Sequence, residues 1–290
     1  MPADSVQLSL IAIETTLLFA GAGLLIWVLA NPRQRQHWLG ARLLPHWSVT
    51  LPEFFLAAML VFACGFLLQT ATHQFLGPRI ANSPDKSGLE VFLYGAGFHA
   101  GILLGCALFP LLRRRIYADY GTQPSPSPAG RKSTWLEVFR LAAGTVLVVL
   151  PVLTLLSLGW TELLKAAGLP DAPQDLISVF SDTSSPFVVA GMLLVACVLA
   201  PLSEELMFRA GLYRYLRQRL GRAPALLLSS VCFGALHGNW AGFLPLAVLG
   251  MILAVVYEAT GSIRVVIVAH SLFNLNTILV VLSGLHELGT

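Results

Sequence analysis

Apolar residues form long runs along this chain, and charged residues are concentrated in the segments between the runs. Eight runs approach the roughly 20 apolar residues that an α-helix needs to cross a bilayer, although the sixth and seventh are short. The predicted spans are approximately Leu8–Ala30, Phe54–Leu76, Leu89–Leu112, Val138–Trp160, Phe187–Leu202, Ala223–His237, Phe243–Tyr257 and Ile263–Leu285. The pattern therefore predicts an all-α fold, a polytopic membrane helix bundle with about eight transmembrane helices.

The composition of the chain agrees with this prediction. Hydrophobic residues make up 56% of the 290 residues and charged residues 11%, whereas a soluble domain has about 25% charged residues. The net charge of +3 is too small to indicate a nucleic-acid partner, and no Gly-rich phosphate loop indicates a nucleotide. We therefore expect an integral membrane protein whose partners are the lipid bilayer and a substrate within it.

The positions of Lys and Arg predict how the chain is oriented. Of the 18 basic residues, all but Arg79, Lys86 and Lys165 lie in one alternating set of connections between the spans. Short basic loops stay in the cytoplasm. This asymmetry predicts that both termini lie outside and that the Glu204-Glu205 end of the fifth span faces the cytoplasm. We expect the membrane to be a plasma (inner) membrane.

A flexible linker is predicted at residues 120–134, because the stretch from Tyr120 to Lys132 is rich in Pro, Ser and Gly and has no apolar period. It would separate an N-terminal three-helix region, 1–119, from the rest of the chain. Residues 135–185 would hold the fourth transmembrane helix and an external connection. Residues 186–285 would form the membrane domain that carries the site.

Two adjacent carboxylates, Glu204 and Glu205, follow the charge-free run from Pro186 to Ala200. Because an ionised side chain in a membrane helix costs on the order of 3 kcal/mol, such residues mark candidate functional sites. Gly221 is predicted to end this helix, with Glu205 sixteen residues before it and His237 sixteen residues after it. If the next helix returns antiparallel, Glu205 and His237 reach about the same depth.

Three pairs of residues each have the spacing of four that places both members on one face of a helix. The pairs are Glu205 with Arg209, Phe233 with His237, and His270 with Asn274. Three helices can thus direct a carboxylate pair, a histidine, and a histidine with an amide towards one cavity. Buried charges persist in such a place when they are paired, hydrogen-bonded or bound to a metal.

These residues resemble the three ordered motifs of the CPBP family of intramembrane endopeptidases. The motifs are Glu204-Glu205-Leu-Met-Phe-Arg209, Phe233-Gly-Ala-Leu-His237 and His270-Ser-Leu-Phe-Asn274. The family includes type II CAAX prenyl endopeptidases and bacteriocin-processing or self-immunity proteins. The resemblance covers about residues 186–282. The chain departs from the usual family pattern in having Ala210 before Gly211, where Gly often directly follows the motif arginine.

The resemblance implies hydrolysis of a peptide bond in a hydrophobic or lipidated peptide by a water activated within the bilayer. It assigns Glu204 as general base, with His237 helping to orient and deprotonate the water. His270 and Asn274 would stabilise the oxyanion. Glu205 would pair with Arg209 or adjoin a metal, and Phe233 would serve packing.

Participation of a metal ion is left open by the sequence. Glu205, His237 and His270 are a chemically reasonable Zn²⁺ set with an open position for water. Against that, the chain has no His-Glu-x-x-His helix, and the two histidines come from separate helices. A metal-free glutamate mechanism would use the same side chains.

Other functions and simpler explanations compete with this interpretation. Buried Glu and His side chains also relay protons in transporters, and a catalytically silent membrane scaffold could keep the motifs. The two carboxylates could merely be interfacial and paired with Arg209 and Arg214. His99, which lies among Gly95, Gly97 and Gly101, is predicted to serve close helix packing and not the site.

Overall fold

Nine helices make up the part of the chain that the computed structural model describes, residues 3–40, 44, 47–119, 133–172, 179–180 and 182–283. Their bounds are α1 Ala3–Ala30, α2 Pro32–Leu39, α3 Leu51–Ile80, α4 Lys86–Asp119, α5 Trp135–Ala167, α6 Pro186–Leu220, α7 Arg222–Ala235, α8 Trp240–Thr260 and α9 Ile263–Leu282. Within these ranges the chain contains no strand. The predicted all-α fold is confirmed.

Seven helices of the described chain are long and apolar enough to cross a membrane, which confirms the integral membrane protein predicted from the sequence. The sixth predicted span is the short apolar helix α7, with 14 residues. At about 1.5 Å per residue it extends about 21 Å, less than the roughly 30 Å of a bilayer core. The described chain therefore has seven helices of spanning length, the short apolar helix α7 and the short polar helix α2, and the seven long helices with α7 are close to the predicted eight.

Helix boundaries follow from local sequence signals. Thr50 and Thr134 each form a capping box with the glutamate three residues later, and these boxes start α3 and α5. Gly221 separates α6 from α7 with φ of 85°, and Gly261 ends α8 with φ of 64°. The predicted break at Gly221 is confirmed.

Helices α7 and α8 run antiparallel. Nε of Arg222, at the start of α7, lies 2.6 Å from Oε2 of Glu258, near the end of α8. At the opposite end, the indole of Trp160 in α5 donates to the backbone carbonyl of Trp240 over 2.8 Å. The connection between α7 and α8 is therefore held beside the last turns of α5, as the antiparallel return from Gly221 requires.

Close packing of α3 on α4 depends on small residues. A Cβ added at Gly101 would overlap the backbone of Cys64, and one at Gly105 would lie 2.6 Å from the Cα of Val61. Gly95, on the same helix, faces Val195 of α6. The predicted close packing around His99 is confirmed, and it holds α4 between α3 and α6.

The predicted linker segment, Tyr120–Lys132, lies outside the described residues. The domain boundaries drawn from it, and the division into residues 1–119, 120–134, 135–185 and 186–285, stay predictions. The fold positions the candidate site through α4, α6, α7 and α9, whose packing is described next.

Candidate functional site

The carboxylates of α6 meet a histidine of α9. Nδ1 of His270 lies 2.8 Å from Oε1 of Glu205, and Nε2 of the same ring lies 3.9 Å from Oε2 of Glu204. Glu205 is fully buried, whereas the Glu204 side chain is 17% exposed. One imidazole thus lies between two carboxylates that differ in solvent access, and α6 and α9 do converge as the motif spacing predicts.

Arg209 compensates the charge of Glu205. Its Nη1 lies 2.9 Å from Oε1 of Glu205, one helical turn away, and its Nη2 donates to the carbonyl of Gly250 in α8 over 3.3 Å. Both members of this ion pair are buried. Because a buried charge without a partner is costly, the pairing explains how Glu205 is accommodated at this position.

Phe233 is the contact that joins the three helices. The guanidinium of Arg209 lies over its ring at 4.4 Å, a cation–π distance. Phe208 packs edge-on against the same ring at 5.0 Å, and His270 at 5.9 Å. Phe233 is fully buried, so the packing predicted for it is confirmed, and it sets the spacing between the ion pair and His270.

His237 approaches this cluster from the end of α7. Its ring packs on Phe233 at 5.1 Å, and its Nδ1 lies 2.8 Å from the Phe233 carbonyl. Because a carbonyl only accepts, Nδ1 carries the proton and Nε2 presents a lone pair. His237 is only partly buried. Phe233 thus connects His237 to His270.

Asn274, one turn beyond His270, uses its amide for a backbone contact. Its Nδ2 donates to the carbonyl of Ala196 over 2.8 Å. Ala196 lies in a π-helical segment, Val195–Leu199, where the usual α-helical pairing of carbonyls is interrupted. The predicted oxyanion donor therefore has one N–H engaged with α6, and its second N–H is the one left for a reacting group.

Two π-helical segments interrupt α6 on either side of the carboxylates. Val195–Leu199 precedes the turn Ala200–Glu205, and Leu206–Tyr213 follows it. π-helical insertions are rare and occur frequently at functional sites, where they alter which side chains share a face. The sequence interpretation treated this helix as regular and did not anticipate them.

Two carboxylate oxygens in the site lack a protein partner. Oε2 of Glu204 and Oε2 of Glu205 are buried and make no hydrogen bond among the described residues. Buried polar atoms in native structures are nearly always satisfied, and the exceptions concentrate where water, an ion or a ligand binds. These two atoms identify where a water or substrate group would be held.

Two atoms of the candidate metal ligands are already engaged by protein partners. Among the residues that the structure describes, no group of three or more His, Cys, Asp or Glu side chains is arranged to hold a metal ion. Oε1 of Glu205 already faces His270 and Arg209, and Nδ1 of His270 is occupied by Glu205. Oε2 of Glu205 makes no hydrogen bond among the described residues, and the zinc set of Glu205, His237 and His270 that the sequence left open stays a prediction.

His99 is a residue of this site that sequence reasoning assigned to packing alone. Its Nδ1 lies 2.7 Å from Oγ of Ser203, the residue directly before Glu204. Glu204 and His270 are both close enough to act electrostatically on its ring. No motif surrounds His99, so only the packing of α4 on α6 reveals this contact.

A cavity of about 1230 Å³ lies between α3, α4, α6 and α7. Its walls are mainly apolar, and Leu206, which directly follows Glu205, is among them. Basic and aromatic side chains line the end nearest the start of α3 and the last turns of α4: Trp47, Arg113, Arg114 and Arg214. The cavity thus runs from a basic rim to Leu206, and neither the two carboxylates nor the histidines of the site line it.

Comparisons with known proteins match parts of the chain. A protein of Bacillus subtilis (strain 168) named as a candidate membrane peptidase, YdiL, is 32% identical over 83 residues, which are 29% of this chain and 34% of that protein. The match thus spans about a third of the relative's length. No solved structure matches the chain.

The sequence model of the family described as type II CAAX prenyl endopeptidase Rce1-like matches residues 186–276. This segment runs from the start of α6 into α9 and holds all three motifs, so the resemblance drawn from those motifs is confirmed. This segment, less than half of the chain, is thus similar to the Rce1-like family of type II CAAX prenyl endopeptidases.

Proposed function

We propose that the protein is an intramembrane endopeptidase that hydrolyses a peptide bond of a hydrophobic or lipidated peptide. The observation that carries the proposal is the placement of His270 between the paired carboxylate of Glu205 and the unpaired carboxylate oxygen of Glu204. Helix α7 adds His237 to the same cluster through Phe233. This grouping provides a base, an imidazole and a place for water.

Glu204 is the general base in this proposal. Its Oε2 has no protein partner, and the 3.9 Å to Nε2 of His270 is too long for a hydrogen bond but leaves both atoms open to a shared water. Glu204 takes a proton from the water while the water oxygen bonds to the carbonyl carbon. When the C–N bond breaks, that proton passes to the departing amine. His237, with its Nε2 lone pair, helps to orient the water.

His270 and Asn274 stabilise the oxyanion of the tetrahedral intermediate. Because Nδ1–H of His270 is held by Glu205, Nε2 donates to the oxyanion only while it carries the proton that Glu204 took from the water. That same proton then returns to Glu204 and passes to the departing amine. The free N–H of Asn274 is the second donor. Glu205 and Arg209 orient His270 and do not react.

The cavity suggests the chemical class of substrate. Its apolar walls suit a hydrophobic segment or a lipid chain. At the rim Arg113 is already paired with Glu53 at 2.8 Å, and the exposed Arg114 suits an anionic group such as a terminal carboxylate. A peptide lying in the cavity with its carboxyl end at the rim would bring a bond near Leu206 towards Glu204. The family and the Bacillus subtilis relative support a peptide as the substrate.

A proton relay fits the distribution of charge less well. A relay distributes its groups across the bilayer, whereas His99, Glu204, Glu205 and His270 lie within one cluster. The other buried carboxylate of the described helices, Glu258, is neutralised by Arg217 at 2.9 Å and by Arg222 at 2.6 Å. Neither the cluster around His270 nor the ion pairs of Glu258 forms a series of titratable groups that crosses the bilayer.

We propose further that the basic rim faces the cytoplasm, as the distribution of Lys and Arg indicates. Arg113 and Arg114 at the rim belong to the basic set, and so does Arg214. Substrates would then enter from the cytoplasmic side, and the site would lie in that half of a plasma (inner) membrane. Both termini would lie outside.

The experiment compares the membrane peptides of host cells that express the wild type with those of cells that express Glu204→Gln at the same level. The proposal predicts that a set of uncut hydrophobic peptides accumulates in the variant and is processed in the wild type. Glu162→Gln, an exposed carboxylate paired with Lys165 at 3.1 Å, is the matched control. Identical peptide profiles for the wild type and Glu204→Gln would contradict the proposed function.

A further inference from the structure

His99 binds the turn that presents the catalytic carboxylate. It lies on α4, outside the segment that matches the family, and its Nδ1 is 2.7 Å from Oγ of Ser203. Ser203 is fully buried, and its Oγ lies 3.0 Å from the carbonyl of Ala200. A chain of two hydrogen bonds therefore connects α4 to the turn Ala200–Glu205.

The direction of these bonds is determined by the number of protons. A serine hydroxyl has one hydrogen, and the carbonyl of Ala200 can only accept it. Oγ of Ser203 must then accept from His99, so Nδ1 of His99 is the protonated nitrogen. The imidazole acts here as a fixed donor, a role that a side-chain amide can reproduce.

The position of the turn Ala200–Glu205 depends on contacts from outside its own helix. It lies between the π-helical segments Val195–Leu199 and Leu206–Tyr213, which interrupt the regular hydrogen bonds of α6 on both sides. Glu205 is held by His270 and Arg209, but Oε2 of Glu204 has no partner among the described residues. The position of Glu204 thus depends on the backbone of its turn.

We propose that His99 is a positioning residue for Glu204, acting through Ser203 to hold the turn Ala200–Glu205 against α4. The inference rests on the proposed function, since it assigns Glu204 as the base. A displacement of a catalytic group by about 1 Å can cost about 100-fold in rate. The contact extends the site from α6, α7 and α9 to a fourth helix.

Four variants test this role: His99→Asn, His99→Leu, Ser203→Ala and the double variant His99→Leu with Ser203→Ala. Asparagine places an amide N–H near the position of Nδ1, whereas leucine has no donor. Turnover is measured on a quenched farnesylated CAAX peptide and on the peptides that accumulate in Glu204→Gln membranes. Purified protein is checked for a single size and for its thermal midpoint in detergent.

We expect His99→Leu and Ser203→Ala each to lower kcat about 10-fold or more, with KM changed less than about threefold. His99→Asn keeps most of the activity because it keeps the donor. The double variant is no worse than the worse single variant, since both remove one interaction. If His99→Leu does not fold, the kcat of Ser203→Ala can still be compared with that of His99→Asn, because the first variant removes the acceptor and the second keeps the donor.

The control is His73→Leu, a membrane histidine on α3 that packs against the ring of Tyr94 at 5.1 Å. It should retain wild-type kcat. Wild-type kcat in both His99→Leu and Ser203→Ala, beside an inactive Glu204→Gln, would overturn the positioning role alone. The positioning role would also be overturned if His99→Asn lowered kcat as much as His99→Leu does. It would likewise be overturned if the loss of kcat in the double variant equalled the product of the two single losses. An active Glu204→Gln, or no turnover by the wild type on either substrate, would overturn the proposed function itself.

Discussion

Nδ1 of His270 and Oε1 of Glu205 lie 2.8 Å apart, and both side chains are buried. Glu205 also pairs with Arg209, which is buried as well. Oε1 of Glu205 is therefore engaged by an imidazole and a cation, whereas Oε2 of Glu204 lies 3.9 Å from Nε2 of His270 and makes no hydrogen bond among the described residues. We expect the two adjacent carboxylates to have different tasks, because only Glu205 is hydrogen-bonded to a histidine and ion-paired with an arginine.

Replacing Glu204 and Glu205 in turn with glutamine should show that Glu205 contributes to stability and Glu204 does not. Glu205→Gln leaves Arg209 buried beside a neutral group, which should lower the free energy of unfolding by about 3 kcal/mol and the thermal midpoint in detergent by several degrees. Glu204→Gln removes no partner and should leave the midpoint unchanged. Thermal unfolding of the two purified variants makes the comparison. Equal thermal midpoints for Glu204→Gln and Glu205→Gln would contradict the conclusion that only Glu205 is paired.

The cavity should accept the substrate. Ala58 lines it, and Ala58→Trp should fill part of its volume and raise KM for the farnesylated peptide about 10-fold with little change in kcat. The adjacent Met59 is 69% exposed and points away from the protein, so Met59→Trp is a matched control that should retain the wild-type KM. Equal KM values for the two variants would place the substrate elsewhere.

The buried carboxylate of Glu258 should contribute to stability and not to chemistry. It accepts from Arg217, Arg222 and Tyr213 at 2.9, 2.6 and 3.2 Å. Glu258→Gln should destabilise the protein by about 3 kcal/mol, because two arginines lose their counter-ion. The exposed pair of Glu162 and Lys165 is worth at most about 1 kcal/mol, so Glu162→Gln should leave the thermal midpoint in place. Similar midpoints for the two variants would contradict this assignment.

Chelation should not remove activity if the side chains alone perform the hydrolysis. Oε1 of Glu205 is engaged by His270 and Arg209, and no three or more His, Cys, Asp or Glu side chains of the described residues are grouped to hold a metal ion. We expect EDTA or 1,10-phenanthroline to change kcat by less than about twofold. A loss that added Zn²⁺ restores would contradict the metal-free mechanism.

Much of the architecture could be predicted because long apolar runs indicate membrane spans. A spacing of four residues also indicates which motif side chains share a helix face. The break at Gly221 correctly placed α7 as an antiparallel return towards Glu205. The contact of His99 with Ser203 could not be predicted, because the two residues are 104 positions apart and no periodicity relates them. Nor could the bond from Asn274 to Ala196, which depends on a π-helical segment that no residue pattern marks.

The most direct measurement is kcat of purified wild type and Glu204→Gln on the farnesylated CAAX peptide, with Glu162→Gln as the control. The account predicts a loss of about 100-fold or more for Glu204→Gln at an unchanged thermal midpoint, and wild-type kcat for the control. A Glu204→Gln variant that cleaves the peptide at the wild-type rate would contradict the assignment of Glu204 as the base.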